Sequence, residues 1–229
     1  MYPDDAIQPP PLSTAPLVAN PWERRAETGA VRALWDTLVM SLSRPGDLFR
    51  GTPRTGGLGT PLAYAVILGT VGIVAQSLWQ IGFHALGAVL SSRLNPETAS
   101  PAAHGGIFMI AVPFAVLVLA PLIITVSLFI GTGLTHLALM MLGGDRHGFE
   151  GTFRGLAYAH GPMVFYVIPI VGAIVGSIWA AVLQVIGISK LQETEWWRAL
   201  IAILLIPCAC GLIGIIAAIA IAALIASKG

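Results

Sequence analysis

The sequence predicts an all-α fold: a polytopic helical membrane protein with five transmembrane helices preceded by a cytoplasmic amphipathic helix. Three observations carry this reading. Of 229 residues, 56% are hydrophobic and only 10% are charged, where an ordinary soluble domain is roughly half apolar and a quarter charged, and the mean hydropathy is +0.83. From residue 61 onward, apolar runs recur at lengths that supply the ~20 helical residues needed to cross ~30 Å of hydrocarbon. The basic residues group on one side of those runs. Twelve Lys/Arg against eleven Asp/Glu give a net charge of +1, leaving no basic excess for nucleic acid.

The chain opens Met1-Tyr2-Pro3-Asp4-Asp5, acidic where a signal peptide is basic, and no apolar run follows before residue 61, so no cleaved leader is expected. Residues 1–20 hold Pro3, Pro9, Pro10, Pro11 and Pro16 among small residues. They bury too little apolar area to offset their ordering entropy and read as a flexible cytoplasmic tail. Residues 21–60 form a second unit. Val31, Leu34, Trp35, Leu38 and Leu42 fall on one helical stripe, and Pro45-Gly46 stops it. That helix is too short and polar to span. It suits the membrane surface, with Trp22, Trp35 and Leu38 as interfacial anchors, or else it packs on the spans. Residues 53–60 are a Gly/Thr linker.

The membrane domain is expected over 61–226, with spans near 61–83, 107–142, 152–168, 170–188 and 199–226. The loop after the first span contains Arg93, Asn95, Pro96, Glu97 and His104. The second run is longer than one crossing requires, so Pro113 and Pro121 are expected to kink it, or its first turns to project from the bilayer. Pro169 suits a tight turn between the third and fourth spans. A polar loop with Lys190, Glu193, Glu195, Trp196, Trp197 and Arg198 precedes the fifth, where Trp196 and Trp197 read as interfacial anchors. With the amino terminus inside, Arg24, Arg25, Arg32, Arg44, Arg50, Arg54, Arg146, Arg154, Lys190 and Arg198 all fall on the cytoplasmic side. Only Arg93 and Lys228 fall outside. The positive-inside rule therefore favours an odd number of spans and an exterior carboxyl terminus, periplasmic in a bacterium.

Small residues let helices approach closely in lipid. Gly172, Gly176 and Ala180 line one side of the fourth span; Cys210, Gly214, Ala218, Ala222 and Ala226 line one side of the fifth. These ridges are expected to pack within one chain, with a homo-oligomer as the alternative. The two cysteines, Cys208 and Cys210, point to nearly opposite sides of a helix, so neither a mutual disulfide nor a metal site is expected.

Two polar constellations stand out. Gln76, Gln80 and His84 repeat at four-residue spacing along the first span, a stripe that either lines a pore or emerges into water. At the inner face, His136, Glu150, Arg154, Tyr158 and His160 lie at similar depth and form a candidate binding cluster for an anionic headgroup or a partner's acidic residue. The plainer alternative is a snorkelling Arg154, an interfacial Tyr158 and histidines bonded to neighbouring helices. Walker-type, dinucleotide-binding and His-Glu-x-x-His patterns do not occur, and Gly176-Ser177 has no matched base. The expectation is no catalysis and no cofactor.

Asn20-Pro21-Trp22-Glu23, Thr37 through Pro45 to Phe49, Gly56-Gly57 before Pro61, and above all Gly148-Phe149-Glu150-Gly151-Thr152-Phe153-Arg154 with Ala157-Tyr158 and Pro162 make a connected set. Ile168-Pro169-Ile170-Val171-Gly172, Trp179 and Ile186-Gly187 extend it. Over residues 20–226 the chain resembles the Yip-domain family of Ypt/Rab-interacting-protein-like membrane proteins, in its bacterial branch. The resemblance implies five spans in a bacterial inner membrane and a cytoplasmic amino terminus; eukaryotic relatives are associated with Rab-type GTPases and early secretory trafficking. The expected function is a membrane organiser or adaptor whose partners are the bilayer and a protein met by the amino-terminal region. The alternative is a small transporter or channel-forming oligomer.

Overall fold

A computed structural model describes residues 18–94 and 108–205, together with 207, 208, 211, 214 and 215. Among these residues the chain is helical and carries no strand. The helices are α1 (Arg25–Thr28), α2 (Ala30–Ser43), α3 (Pro45–Arg50), α4 (Gly59–Leu94), α5 (Phe108–Met141), α6 (Gly148–Tyr158), α7 (Val171–Leu191) and α8 (Trp196–Leu205), with 3-10 turns at Pro21–Arg24 and Gly161–Val167. The proposed tail over 1–17, the loop at 95–107, Ala218 and most of the fifth span lie outside the described residues.

Three of the described helices, not five, are long and apolar enough to cross a membrane: α4, the Ala111–Met141 part of α5, and α7. The first is longer than expected. Its 36 residues reach ~54 Å, and Arg93 sits in its last turn rather than in a loop. The second is a single helix with Pro113 and Pro121 inside it. The third expected span is broken, because 152–168 divides into α6, a turn at Ala159-His160, and the 3-10 segment opened by Gly161-Pro162. Proline there has no N–H to donate into a continuing α-helix. Of the fifth span, the ten-residue α8 is described.

The broken segment runs antiparallel to α7. A Cβ on Gly155 would sit 3.1 Å from the Gly187 and Ile188 backbone, one on Gly176 2.8 Å from Pro162 O, and one on Gly172 1.8 Å from Phe165 O. Gly172 and Gly176 thus serve the contact with 161–167, and the ridge expected to meet them on the fifth span lies, Gly214 apart, outside the described residues. Gly214 has open space where its Cβ would be, and Ala180 is half-buried. The reversal between segments falls at Pro169-Ile170, with Val171 N donating to Pro169 O. α4 packs on α5 and on 161–167, its Gly69 meeting Ile124 and its Gly72 meeting Met163. Large apolar side chains line the outer faces of all three long helices, including Leu78, Phe114, Leu122, Ile174 and Ile178. In water such a surface would aggregate; in lipid it is the expected exterior.

The segment from residue 18 to 57 folds back onto this bundle. Asn20 Oδ1 accepts from Trp22 N, its Nδ2 donates to Thr52 Oγ1, and its own N–H reaches Gly51 O, so one buried asparagine joins both ends of the segment. Trp22 is buried and donates from Nε1 to Thr60 O at 2.8 Å, stacking obliquely on Tyr64, which in turn meets Tyr158. α2 buries Ala33, Thr37, Leu38 and Ser41. Trp22 and Leu38 are therefore core residues, not interfacial anchors: Trp22 is held against Thr60 and Tyr64, and the stripe read on α2 straddles two faces. Its inner edge packs on the bundle; Val31, Trp35 and Val39 stay outside, Trp35 being 64% exposed.

Candidate functional site

α4, α6 and α8 begin, and α5 and α7 end, at one end of the bundle, where the polar side chains concentrate. Two hydrogen-bonded networks hold this end together. The first centres on Arg154, the largest fully buried side chain among the described residues, with 0% of it exposed. It lies one helical turn after Glu150, so its Nε reaches Glu150 Oε1 at 3.1 Å. Nη1 donates to Glu23 Oε1 at 2.7 Å and Nη2 to Gly57 O at 2.8 Å. Glu150 Oε1 also accepts from Gly57 N at 2.7 Å, and Tyr158 OH donates to Glu23 Oε1 at 2.6 Å. Gly56 and Gly57 have φ of +130° and +90°, conformations that bring this linker backbone within reach of the guanidinium. Each edge of the guanidinium fork thus meets a different element: α6 itself, the turn before α1, and the linker into α4.

The second network centres on Gln192, also fully buried. Its Oε1 accepts from Arg146 N and His147 N at 3.0 and 2.8 Å, while Nε2 donates to Gly148 O and Thr152 Oγ1 at 2.7 and 2.8 Å. One side chain thereby ties the α5–α6 loop to the end of α7. His136 joins here, its Nδ1 3.2 Å from Thr152 Oγ1 and its Nε2 3.9 Å from Asp145 Oδ2. Further out, Glu193 is held by Arg54 and by His147 Nε2 at 3.3 Å. The hydrogen bond from His147, followed by the charge of Arg54, keeps this carboxyl below its ordinary value of 4.5. Arg198 caps α5 by donating to Leu142 O and Gly143 O.

Of the five residues read as one inner-face cluster, the structure brings Glu150, Arg154 and Tyr158 together and sends the other two elsewhere. His136 belongs to the Gln192 network, and His160 hydrogen-bonds through Nδ1 to Leu156 O at 3.0 Å, between α6 and the 3-10 segment. Arg154 faces two carboxylates and a carbonyl, so the group carries a net negative charge and offers an incoming anion no free cation. Its chemistry is that of a clamp. Sequence reasoning missed Glu23 and Gln192. Glu23 carried a signal, an acidic residue in the quoted Asn20–Glu23 stretch, but nothing local fixes its partner 131 positions away. Gln192 carried none.

The other candidates fall on the surface. Gln80 and His84 are exposed on α4 and Gln76 is half-buried. Trp196 and Trp197 are 65% and 40% exposed where α8 starts, the latter beneath the Arg198 guanidinium. An open cavity of about 430 Å³ lies among Ser127, Thr135, His160, Gln184 and Leu204. Among the described residues no group of three or more His, Cys, Asp or Glu could hold a metal ion.

Comparison with known proteins agrees with the resemblance read from the residues. A family model, the Yip1 domain, matches residues 40–218. No curated protein and no solved structure matches the chain. The family match covers well over half of the sequence, including the whole of all three long apolar helices, Arg154 and Gln192. This chain is a helical membrane protein that belongs to the Yip1 domain family.

Proposed function

We propose that the protein is a non-enzymatic membrane organiser or adaptor, with residues 18–57 forming a rigid cap on the cytoplasmic end of the bundle, its Leu42 corner reaching down beside α7 into the inner leaflet, and the carboxyl terminus on the opposite side. The observation that supports this is the Arg154 clamp. A buried guanidinium shared among Glu23, Glu150 and Gly57 O holds an otherwise marginal set of short helices in one arrangement. A mere tether would need no such anchoring. The cap leaves Val31, Trp35 and Val39 outside as a ridge at i, i+4 and i+8, a surface suited to a protein partner.

The test is purification from the native membrane in mild detergent, with mass spectrometry of what accompanies the full chain and its Val31→Ser/Trp35→Gln/Val39→Ser variant. A protein lost with the ridge supports the adaptor reading. Recovery of the same proteins with both chains refutes it. A transporter is the second reading, favoured by the open cavity at His160 and Gln184 rather than by Gln80 and His84. Solute flux in liposomes that Gln184→Leu abolishes without unfolding would establish it.

A further inference from the structure

The anion-binding capacity that Arg154 lacks is found elsewhere on the same end of the bundle. A cleft of about 730 Å³ lies between the α3–α4 linker and the last turn of α7, lined by Arg50, Arg54, Lys190, Thr52, Ser189 and Glu193, among others. Three cations face one carboxylate. Arg54 is engaged by Glu193 and Arg50 by Asp47, whereas Lys190 makes no hydrogen bond or ion pair with the described residues. The cleft sits where the apolar α7 ends, and Thr194 of its lining stands two residues before the exposed Trp196, which is the depth of lipid headgroups.

A second observation lies on the same face of α7. An apolar groove of about 360 Å³ is formed by Leu42, Phe165, Val175, Ile178 and Trp179. Val175, Ile178, Val182, Ile186 and Ser189 follow one another at spacings of three and four, so groove and cleft share one helical face. Ile178 lies twelve positions before Lys190, ~18 Å along the helix. That is close to the ~15 Å depth of one leaflet, half of the ~30 Å hydrocarbon core. The side chain between them, Val182, is exposed.

We infer that one anionic phospholipid seats along α7, its phosphate among Arg50, Arg54 and Lys190 and an acyl chain running past Val182 into the groove at Leu42 and Trp179. Lys190 supplies the uncommitted charge. Arg50 keeps donors beyond the one given to Asp47, while the Thr52 and Ser189 hydroxyls donate to Leu48 O and Thr194 O and leave the phosphate to the cations. Bound there, the lipid would join the cap to α7 from the outside, as Arg154 does from within. The inference stands independently of the adaptor reading.

The experiment is native mass spectrometry of the full chain in detergent, titrated with dioleoyl phosphatidylglycerol, dioleoyl phosphatidylcholine or inorganic phosphate. Phosphatidylglycerol should be retained in preference to phosphatidylcholine, and free phosphate should not displace it. Arg50→Gln with Lys190→Gln should weaken its affinity about 30-fold, ~2 kcal/mol, whereas Arg24→Gln with Arg32→Gln, an equal charge loss elsewhere on the cap, should leave it unchanged. Val175→Phe, which fills the groove without touching a charge, should also weaken retention. Equal retention of the two lipids overturns the inference, as does an equal loss with the Arg24/Arg32 pair, which would mean diffuse attraction. Displacement by free phosphate would mean a headgroup-only anion site and would refute the bound chain.

Discussion

Glu23→Ala is the most informative single perturbation, because it removes one partner of a fully buried guanidinium and leaves the rest in place. It deletes two short charge-assisted bonds, from Arg154 Nη1 at 2.7 Å and from Tyr158 OH at 2.6 Å. Each such bond contributes ~1.5–3 kcal/mol, and breaking a buried ion pair from one side costs ~3–5 kcal/mol. Glu150 still pairs with Arg154 and the Glu23 side chain is 17% exposed, so the lower end applies, about 3 kcal/mol. The loss should fall on cap closure, since the other Arg154 contacts lie within α6 and the linker. Hydrogen exchange reads it directly. The amides of residues 20–52 should open about 150-fold more often, while those of α5 and α7 keep their protection. Arg154→Lys should be nearly as damaging as Arg154→Gln, because an ammonium cannot reach three partners set around a planar fork. If Glu23→Ala and the exposed Ser43→Ala give the same exchange rates over 20–52, the clamp does not hold the cap.

Further outcomes follow from the same geometry. Gly172→Ala should lower thermal stability in detergent by at least the ~1–3 kcal/mol of ordinary overpacking, since its Cβ would meet Phe165 O, while Gly214→Ala should be neutral. Gln192→Leu should release the 143–147 loop, seen as faster exchange at Arg146 and His147, because it strands two backbone donors and Thr152. Trp22→Gln should destabilise the cap, whereas Trp35→Gln should leave melting unchanged and act only on association. Glu193 has its folded pKa depressed, so its contribution is present above the ordinary 4.5 and is lost as pH falls through the lower folded value. The melting difference between the native chain and Glu193→Gln should accordingly vanish on acidification.

Hydropathy made the long helices legible, because lipid-facing residues must be apolar whatever they pack against. α7 lies within a few residues of its expected span for that reason. α6 was misjudged by the same signal. Its apolar residues and glycines read as lipid-compatible, yet Gly151 through Tyr158 are buried against protein, and that enclosure is what permits a charged Arg154 there. The stripe on α2 was equally ambiguous: a period of 3.6 gives a face but not its neighbour, so Leu38 and Trp35 looked alike and were separated only by where the bundle lies. Contacts such as Glu23 to Arg154 depend on how the whole cap folds back, which no local pattern encodes.

The two networks also account for why the polar end is built from loops rather than from longer helices. Helix ends leave four N–H or four C=O groups without intrahelical partners, and five helices end here. Arg198 takes two carbonyls just past the end of α5 and Asp145 takes the first amide of α6, while Gln192 takes the two loop amides that precede it and ties them to the Gly148 carbonyl. Each capping side chain comes from a different element than the one it caps, except Asp145, so satisfying the ends also fixes the order of the helices around the bundle. Arg154 applies the same rule to the linker at Gly57. Loss of one capping residue should therefore loosen two elements at once, which paired exchange measurements on α5 and α8 in Arg198→Gln would detect as coupled opening, and independent opening would contradict.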